Sequence, residues 1–274
     1  MGYSLKNRNV LVTAGSRGLG AVIAEKFAAE GANVVINYAS SEDRAKETEA
    51  KITSQYGVKT AIVQGDLGIK EDCVRVVKTA IEVLGGLDIV ISNAGWTKFA
   101  NFADLHALDE SDWDKCWSVN VKGHMHTFRE ALPTFNANPD GGAFIITASI
   151  AGLMPGGSSL PYSVTKAALL HLTKCLAKSQ GPKVRVNAVC PGLLLTEWGS
   201  QFSEEYVKNH INQTALKRVA ELDDTADLYV SLAKNASITG QSLAIGEFMP
   251  FCPCEEDKLT GKYDRRRFRY SLSS

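Results

Sequence analysis

Seven short apolar runs alternate along the chain with longer segments of mixed polarity. The runs occupy residues 9–13, 34–37, 61–63, 87–91, 144–147, 184–189 and 241–245. Runs of this length are typical of strands buried on both faces of a parallel sheet, and strands that alternate with helices form βαβ units. The pattern therefore predicts an α/β fold: a doubly wound (Rossmann) sheet of seven parallel strands with helices on both faces.

The segments between the runs carry helix signals. Gly31 follows one predicted helix, Ser40 and Ser41 precede acids that suit a first helical turn, and Pro161 suits the first turn of another helix. The predicted helices cover 21–29, a segment that begins at 40–43, a segment that ends near 84, about 104–135, a segment that begins at 161, about 204–212 and about 223–233.

No internal repeat or linker divides the chain, so we expect one domain over residues 1–253. This domain includes a predicted substrate lid at about 193–216, with Gly192 and Gly199 placed to let the lid close over bound ligands. Residues 254–274 differ in character, since 264–270 is basic and contains no clear element. We expect a disordered or surface-draped tail there.

The amino-acid composition argues against several classes of binding partner. Equal numbers of basic and acidic residues give a formal net charge of zero, which argues against nucleic acid or a membrane as the main partner. No segment is long and apolar enough to span a bilayer, and the N-terminus lacks a signal-peptide core. Six scattered Cys suit a reducing compartment, so we expect a cytoplasmic protein. Cys252 and Cys254 lack zinc-spaced partners, and no metal site is expected.

Polar and glycine-rich segments follow the predicted strands. They comprise 15–20, Asn37, Asp66, Asn93, Ser149 and 191–192. Ligands of doubly wound sheets bind at the carboxyl ends of the strands, so we expect these residues to meet at one edge. Gly15, Gly18 and Gly20 lie between a strand and a helix, where glycines let the backbone approach a pyrophosphate at the helix N-terminus.

Tyr162 and Lys166 are four residues apart on the helix that begins at 161, so both side chains point the same way. An ammonium beside a phenol favours the phenolate, and we expect the pKa of Tyr162 to fall from about 10. Ser149 ends the preceding strand, and the Gly/Ser/Pro loop between them can bring its hydroxyl to the phenol. This group suits proton transfer near neutral pH.

In combination these residues resemble the short-chain dehydrogenase/reductase family over about residues 9–246. The matching segments are 13–20, 66–67, 93–95, Asn120, Ser149, the Tyr162-x-x-x-Lys166 pair and 191–192, in the family's order. Within the family the chain is similar to 3-oxoacyl-carrier-protein reductases and polyhydroxynaphthalene reductases. It departs at Ala14, which stands where the family's loop has its first glycine, and the cost is small if residue 14 has a negative φ.

The resemblance implies the catalytic residues Asn120, Ser149, Tyr162 and Lys166. Tyr162 would be the acid in carbonyl reduction, Lys166 would lower its pKa and bind the nicotinamide ribose, and Ser149 would hydrogen-bond the substrate oxygen. Asn120 would kink its helix and anchor a water that links Lys166 to solvent. The family also implies a homo-oligomer, most often a tetramer, with the Tyr162 helix at an interface.

The expected cofactor is NADP(H). NAD enzymes of this fold usually place an acid after the second strand, whereas Asn37 stands there and does not repel a phosphate. Arg17 with Ser40 or Ser41 can bind the 2′-phosphate. The expected cofactor-binding residues are Gly15, Ser16, Arg17, Gly18, Leu19, Gly20, Asn37, Tyr38, Ser40, Ser41, Asp66, Leu67, Asn93, Ala94, Gly95, Tyr162, Lys166, Pro191, Gly192 and Thr196.

The predicted substrate is a largely apolar, ring-containing carbonyl compound. The expected substrate-binding residues are Trp96, Ser149, Met154, Trp198 and Phe202, and Phe99 and Leu160 are further candidates. Aromatic walls with few charges suit flat apolar ligands. We expect at least two of these residues to pack elsewhere. An imine reductase, an alcohol dehydrogenase and a non-catalytic NADP-binding regulator are the alternative functions.

Overall fold

Strand side chains point alternately into two hydrophobic cores, and this alternation sets the layers of the fold. A computed structural model describes residues 3–246 of the chain. In its first strand, Val10 and Val12 face one core and Leu11 faces the other. Both faces of the sheet are therefore buried, which explains why the strands read as continuous apolar runs.

The strands are β1 (Asn9–Val12), β2 (Asn33–Tyr38), β3 (Thr60–Gln64), β4 (Ile89–Ser92), β5 (Gly142–Thr147), β6 (Val184–Pro191) and β7 (Ser242–Ile245). They form one sheet in the order β3-β2-β1-β4-β5-β6-β7, and every pair is parallel. The predicted fold class is confirmed within these residues. The chain reverses its direction of travel across the sheet between β1 and β4, which is where such folds bind their ligands.

The helices are α1 (Gly18–Ala29), α2 (Glu42–Tyr56), α3 (Lys70–Leu84), α4 (Glu110–Trp117), α5 (His124–Ala137), α6 (Leu160–Gln180), α7 (Glu204–Gln213) and α8 (Leu222–Lys234). Buried residues of α3, α5 and α6 share one core, and those of α1, α2 and α8 share the other. The described residues therefore form a three-layer Rossmann-like domain. No helix among them is both long and apolar enough to cross a membrane. The predicted tail lies outside the described residues.

The predicted helical region over about 104–135 is wrong at its start, since the first helix begins at Glu110. Residues 101–108 form turns, because the side chains of Asn101 and Asp104 accept hydrogen bonds from backbone N–H groups two residues on. The helix starts only after Asp109, which forms a capping box with Asp112.

A π-helical turn, Ser118–Gly123, separates α4 from α5. Gly123 packs so closely there that a Cβ on it would lie 2.3 Å from the Leu67 carbonyl oxygen. The turn contains Asn120, so the helix is irregular at the residue that the family resemblance singled out. Such turns are frequent at functional sites.

Ala14 adopts the left-handed conformation with φ of 49°. The expected cost of replacing the family glycine was small only for a negative φ at residue 14. The structure does not meet this condition. The conformation is fixed by close packing, since a Cβ on Gly20 would lie 2.3 Å from the Ala14 carbonyl oxygen, and the Ala14 N–H donates to Asn37 Oδ1 at 3.1 Å. A left-handed L-residue costs about 1–2 kcal/mol.

Ala14→Gly is expected to raise the free energy of unfolding by about 0.5–1 kcal/mol, because relief of the strain exceeds the extra entropy of an unfolded glycine. Urea unfolding followed by circular dichroism measures the change. Ala50→Gly in α2 is the control, and an exposed helical position of this kind should lose about 1 kcal/mol. Equal losses in both variants would contradict the strain at Ala14.

Candidate active site

A cavity of about 750 Å³ opens at the carboxyl edge of the sheet. Its lining includes the loop after β1, the ends of β4, β5 and β6, the first turn of α6 and the segment from Leu193 to Gln213. Of the predicted site residues it contains Arg17, Gly18, Leu19, Gly20, Asn93, Gly95, Ser149, Met154, Tyr162, Lys166, Pro191, Gly192, Thr196, Trp198 and Phe202. The predicted convergence at one edge is therefore present in the structure.

The loop between β1 and α1 has the geometry of an anion site. Gly18 has a φ of 54°, and no acidic side chain lies in the first turn of α1. Thr196 lies over this loop, since a Cβ on Gly18 would be 3.5 Å from Thr196 Cγ2. Open backbone N–H groups at a helix N-terminus suit a phosphate group.

Asn93 connects three strand ends below the cavity. Its Nδ2 donates to the Thr13 carbonyl oxygen at 3.1 Å, and its Oδ1 accepts from the Thr147 hydroxyl at 3.0 Å. The Thr13 hydroxyl in turn accepts from the backbone N–H groups of Asn93 and Ala94. These bonds fix the ends of β1, β4 and β5 relative to one another, so the cavity floor is rigid.

The loop from β5 to α6 folds back onto α6, and this packing brings Ser149 to Tyr162. Ser149 caps a single 3-10 turn through a 3.1 Å hydrogen bond from the Ala151 N–H. Ser163 donates to the Ala151 carbonyl oxygen at 2.7 Å. Gly152 packs against α6, where a Cβ would lie 2.6 Å from the Lys166 carbonyl carbon. Ser149 and Tyr162 consequently line the same cavity, and the Ser149 hydroxyl lies near enough to the phenol to oppose the rise in the Tyr162 pKa.

Lys166 is 3% exposed and donates from Nζ to the Thr147 carbonyl oxygen at 2.7 Å. Its Nζ lies 5.5 Å from the centroid of the Tyr162 ring. The predicted pairing on one helix face is therefore present, although the ammonium donates to the backbone of β5. That hydrogen bond ties α6 to the end of β5.

The expected fall in the Tyr162 pKa is wrong for this structure. Burial raises the pKa of Tyr162 to about 12, against the effect of the Ser149 hydroxyl, which lowers it. Burial also lowers the pKa of Lys166 to about 8. Desolvation disfavours the charged form of both groups, and at this separation it outweighs their attraction.

Asn120 is fully buried, and its side chain hydrogen-bonds to the backbone of the loop after β4. Its Oδ1 accepts from the Trp96 N–H at 2.7 Å, and its Nδ2 donates to the Trp96 carbonyl oxygen at 2.9 Å and to the Thr165 hydroxyl at 3.0 Å. One side chain thus links the π-helical turn, the loop after β4 and α6. A Cβ on Gly95 would be 3.7 Å from both Asn120 Oδ1 and Lys166 Nζ, so Asn120 borders the Lys166 site.

The segment after β6 covers the cavity with aromatic side chains. The Trp198 ring lies 5.8 Å from the Tyr162 ring, centroid to centroid. Phe202 packs between Phe99, at 4.9 Å with edge contact, and Tyr206, which stacks on it at 4.5 Å. These contacts produce an apolar wall beside Tyr162.

Comparisons with known proteins give the family. Residues 13–246 match the family described as enoyl-(acyl carrier protein) reductase. A Streptomyces violaceoruber protein named as ketoacyl reductase 2 of the granaticin polyketide synthase is 37% identical over 238 residues, which cover 86% of this chain and 93% of that protein. The chain belongs to the short-chain dehydrogenase/reductase family. The resemblance predicted from the sequence is confirmed, and the protein is an oxidoreductase of that family.

Two solved structures of family members resemble the fold closely. A short-chain dehydrogenase from Burkholderia cenocepacia in complex with NADP has a TM-score of 0.82 at 30% identity, with coverage of 89% of this chain and 98% of that one. The NADPH-dependent 3-quinuclidinone reductase of Rhodotorula rubra has a TM-score of 0.82 at 28% identity, with coverage of 89% and 91%.

Other residues that the short-chain dehydrogenase/reductase resemblance proposed for the cofactor lie outside the cavity. These are Gly15, Ser16, Asn37, Tyr38, Ser40, Ser41, Asp66, Leu67 and Ala94. Asn37 is 2% exposed, and its amide group bonds to Ala14 N, Val63 O and Gly65 O. The Asn37 side chain is therefore used to hold neighbouring backbone segments together. Position 37 affects the choice of cofactor only because it carries no acidic side chain. Asp66 accepts from the Gly68 N–H in its own turn.

Trp96 and the two further candidates, Phe99 and Leu160, do not line the cavity. At least two of the predicted substrate residues were expected to pack away from the substrate. The Trp96 ring lies under Lys115 Nζ at 5.3 Å and does not line the cavity. Phe99 reaches the cavity only through Phe202. Leu160, the first residue of α6, is also absent from the lining.

The sequence pattern missed two groups that the fold brings to the site. Arg44 of α2 and Arg17 both contact Glu197 of the lid, across 153 and 180 residues of sequence. Asn209, His210 and Gln213 also line the cavity. Nothing in the local sequence signals either group, although Arg44 follows β2 by only a few residues.

Proposed function

We propose that the protein is an NADP(H)-dependent reductase that delivers hydride to a carbonyl carbon while Tyr162 donates a proton to the oxygen. The observation that carries the proposal is the meeting of Ser149, Tyr162 and Lys166 at the floor of one cavity. A buried hydroxyl pair beside a cation is suited to stabilise a developing oxyanion. The name of the ketoacyl reductase relative supports carbonyl reduction.

The residues present fit NADP(H). The glycine loop and the N-terminus of α1 would bind the pyrophosphate, and Lys166 would bind the nicotinamide ribose. Gly20 keeps the loop closed because a Cβ there would collide with Ala14 O. The two structural neighbours described with NADP and NADPH support this choice.

NADPH, when bound, supplies the hydride. Tyr162, with its pKa of about 12, is protonated at neutral pH and can serve as the acid. Ser149 would donate a second hydrogen bond to the same substrate oxygen. Lys166, charged below its pKa of about 8, would stabilise the phenolate that remains after proton transfer. Asn120 would keep the loop after β4 in place beside Lys166.

The substrate is proposed to be a ring-containing ketone or quinone. Met154, Trp198 and Phe202 line the cavity near Tyr162, and such surfaces suit flat apolar ligands. Asn209 and Gln213 also line the cavity, so the ligand is expected to have a polar group besides the carbonyl. The 3-quinuclidinone reductase is a structural neighbour that acts on a ring ketone.

Alternative reactions share this scaffold. Imine reduction or alcohol oxidation would use the same Tyr162 and Lys166, and only a panel of substrates separates them. A non-catalytic NADP-binding regulator is disfavoured because Ser149, Tyr162 and Lys166 line one cavity and Asn120 borders the Lys166 ammonium. We further propose a cytoplasmic homotetramer, in which α6 contributes to an interface; Val164 and Ala167 are exposed on that helix.

Tyr162→Phe is expected to lower kcat by at least about a thousandfold with little change in NADPH affinity, because the hydroxyl is the proton donor and the ring is only a packing group. Cofactor absorbance follows turnover, and NADPH fluorescence measures binding. Tyr56→Phe, which alters a half-buried phenol at the end of α2 and outside the cavity, is the control. Substantial turnover by folded Tyr162→Phe would refute the assigned role.

The rate of reduction should fall as the pH rises through about 8, where Lys166 loses its charge. Below that pH the ammonium is present, and the Tyr162 phenol stays protonated throughout because its pKa is about 12. The measurement is kcat/KM from pH 6 to 10 at saturating cofactor. In Lys166→Arg the remaining activity should lack this fall, since a guanidinium stays charged. A flat wild-type profile would overturn the charge assignment.

Ring ketones and quinones should give a higher kcat/KM than sugars or short keto acids, by about tenfold or more, because the wall beside Tyr162 is aromatic. The panel should include an open-chain ketone with the same number of carbon atoms as each ring ketone. Phe202→Ala should reduce the advantage of the ring compounds selectively. If a polar, charged compound gave the highest kcat/KM, the proposed substrate class would be wrong even if hydride transfer occurs.

A further inference from the structure

Thr165 lies between Tyr162 and Lys166 on α6, and the proton transfer proposed above does not use it. It is completely buried and does not line the cavity that those two residues share. Its hydroxyl donates to the Tyr162 carbonyl oxygen at 2.9 Å and accepts from Asn120 Nδ2 at 3.0 Å. One hydroxyl therefore joins the backbone of Tyr162 to an amide on the π-helical turn.

The hydrogen bonds of the Thr165 hydroxyl leave it little freedom to rotate. A threonine hydroxyl has one hydrogen and two acceptor lone pairs. The hydrogen is directed to the Tyr162 carbonyl oxygen, so the Asn120 amide occupies one lone pair. The Cys116 sulfur lies 3.5 Å from the same oxygen, and its S–H can occupy the other. A buried hydroxyl with all its bonds made has a fixed orientation.

Asn120 connects this hydroxyl to the wall of the cavity. Its Oδ1 accepts from the Trp96 N–H at 2.7 Å, and its Nδ2 donates to the Trp96 carbonyl oxygen at 2.9 Å. Trp96 directly follows Gly95, which lines the cavity. A continuous chain of buried hydrogen bonds thus runs from the loop after β4, through Asn120 and Thr165, to the backbone of Tyr162.

Thr173 shows how a buried threonine of α6 bonds when it serves the helix alone. It is also completely buried, and its hydroxyl donates to the Leu169 carbonyl oxygen of the same helix at 2.9 Å. Such bonds to a carbonyl three or four residues back are ordinary for helical threonines. Within residues 3–246, the Thr173 hydroxyl bonds to no other element, whereas the Thr165 hydroxyl also bonds to the π-helical turn.

We propose that Thr165 is a positioning residue, which fixes Tyr162 relative to the loop after β4 and so relative to the cofactor that this loop borders. The inference rests on the proposed role of Tyr162 as the proton donor. Tyr162 lies in the first turn of α6, and the Ser159 side chain does not cap that turn. The first turn of a helix lacks part of the backbone bonding of the interior. Thr165 supplies an additional constraint there.

Loss of the Thr165 hydroxyl should impair the chemical step and spare cofactor binding. Thr165→Val keeps the branched shape of the side chain and removes both bonds. The two bonds between Asn120 and Trp96 remain, so the loop after β4 stays in place while the first turn of α6 is released. Because a misplacement of about 1 Å can lower a rate by about a hundredfold, and α6 keeps its backbone bonds, a fall in kcat of about tenfold is expected.

The test compares Thr165→Val, Thr165→Ser and the matched control Thr173→Val. Thr165→Val should lower kcat by about tenfold and change the NADPH dissociation constant by less than about twofold. Its solvent deuterium isotope effect on kcat should rise, because a misplaced proton donor makes proton transfer more rate-limiting. Thr165→Ser, which keeps the hydroxyl, should restore most of the rate. Thr173→Val should keep the wild-type kcat and isotope effect.

A second measurement needs no turnover. In protein labelled with ¹³C at the tyrosine Cζ, the resonance of Tyr162 is assigned by its loss in Tyr162→Phe. The Trp198 ring, 5.8 Å from the Tyr162 ring, makes this resonance sensitive to small displacements. The resonance should move in Thr165→Val, return towards its wild-type position in Thr165→Ser and stay unmoved in Thr173→Val.

The outcomes separate this inference from the proposed function. Equal losses of kcat in Thr165→Val and Thr173→Val would show a general effect of a buried hydroxyl on α6 and overturn the inference. A Thr165→Ser protein as slow as Thr165→Val would also overturn it. If the wild type reduces no carbonyl compound, the proposed function fails, and an unmoved Tyr162 resonance in Thr165→Val would refute the positioning role independently. If the wild type reduces ketones and Thr165→Val matches it, only the role of Thr165 is refuted.

Discussion

The site depends on one hydrogen bond, from Lys166 Nζ to the carbonyl oxygen of Thr147. A buried ammonium without a partner is too costly to retain, so this bond determines how α6 docks on the end of β5. The same docking positions the loop that carries Ser149, because Gly152 packs against the Lys166 backbone. The relative positions of three catalytic candidates thus follow from the requirement to satisfy one buried cation.

Burial shifts the pKa values of Tyr162 and Lys166 in opposite directions. It raises the pKa of Tyr162 and lowers that of Lys166, so the neutral forms of both become more accessible. A neutral phenol is a competent acid, and the nearby ammonium has most to stabilise after the proton has left. In the proposed reduction Tyr162 would start as the neutral phenol, which is the form that burial favours.

A feature of the site could be predicted from the sequence when it depends only on residues that are close together in the chain. The positions of the seven strands along the chain and the i, i+4 spacing of Tyr162 and Lys166 could be predicted, because each follows from the pattern within one element. The position of Trp96 outside the cavity could not, since Asn120, 24 residues further along the chain, bonds to the Trp96 backbone. Arg44 was missed for the same reason: only the packing of α2 on the phosphate loop brings it to Arg17. The Tyr162 pKa also depends on tertiary burial.

The floor and the lid of the cavity are held by interactions of different strength. Below the cavity, Asn93 and Asn120 make several buried hydrogen bonds each, which are costly to break. Above it, the lid is attached by exposed ion pairs of Glu197 and by ring contacts of Trp198 and Phe202. Such contacts re-form readily in water. The proposed proton transfer requires a rigid floor, and the predicted lid requires a weak attachment if ligands are to enter and leave. The chain meets these two requirements in separate segments.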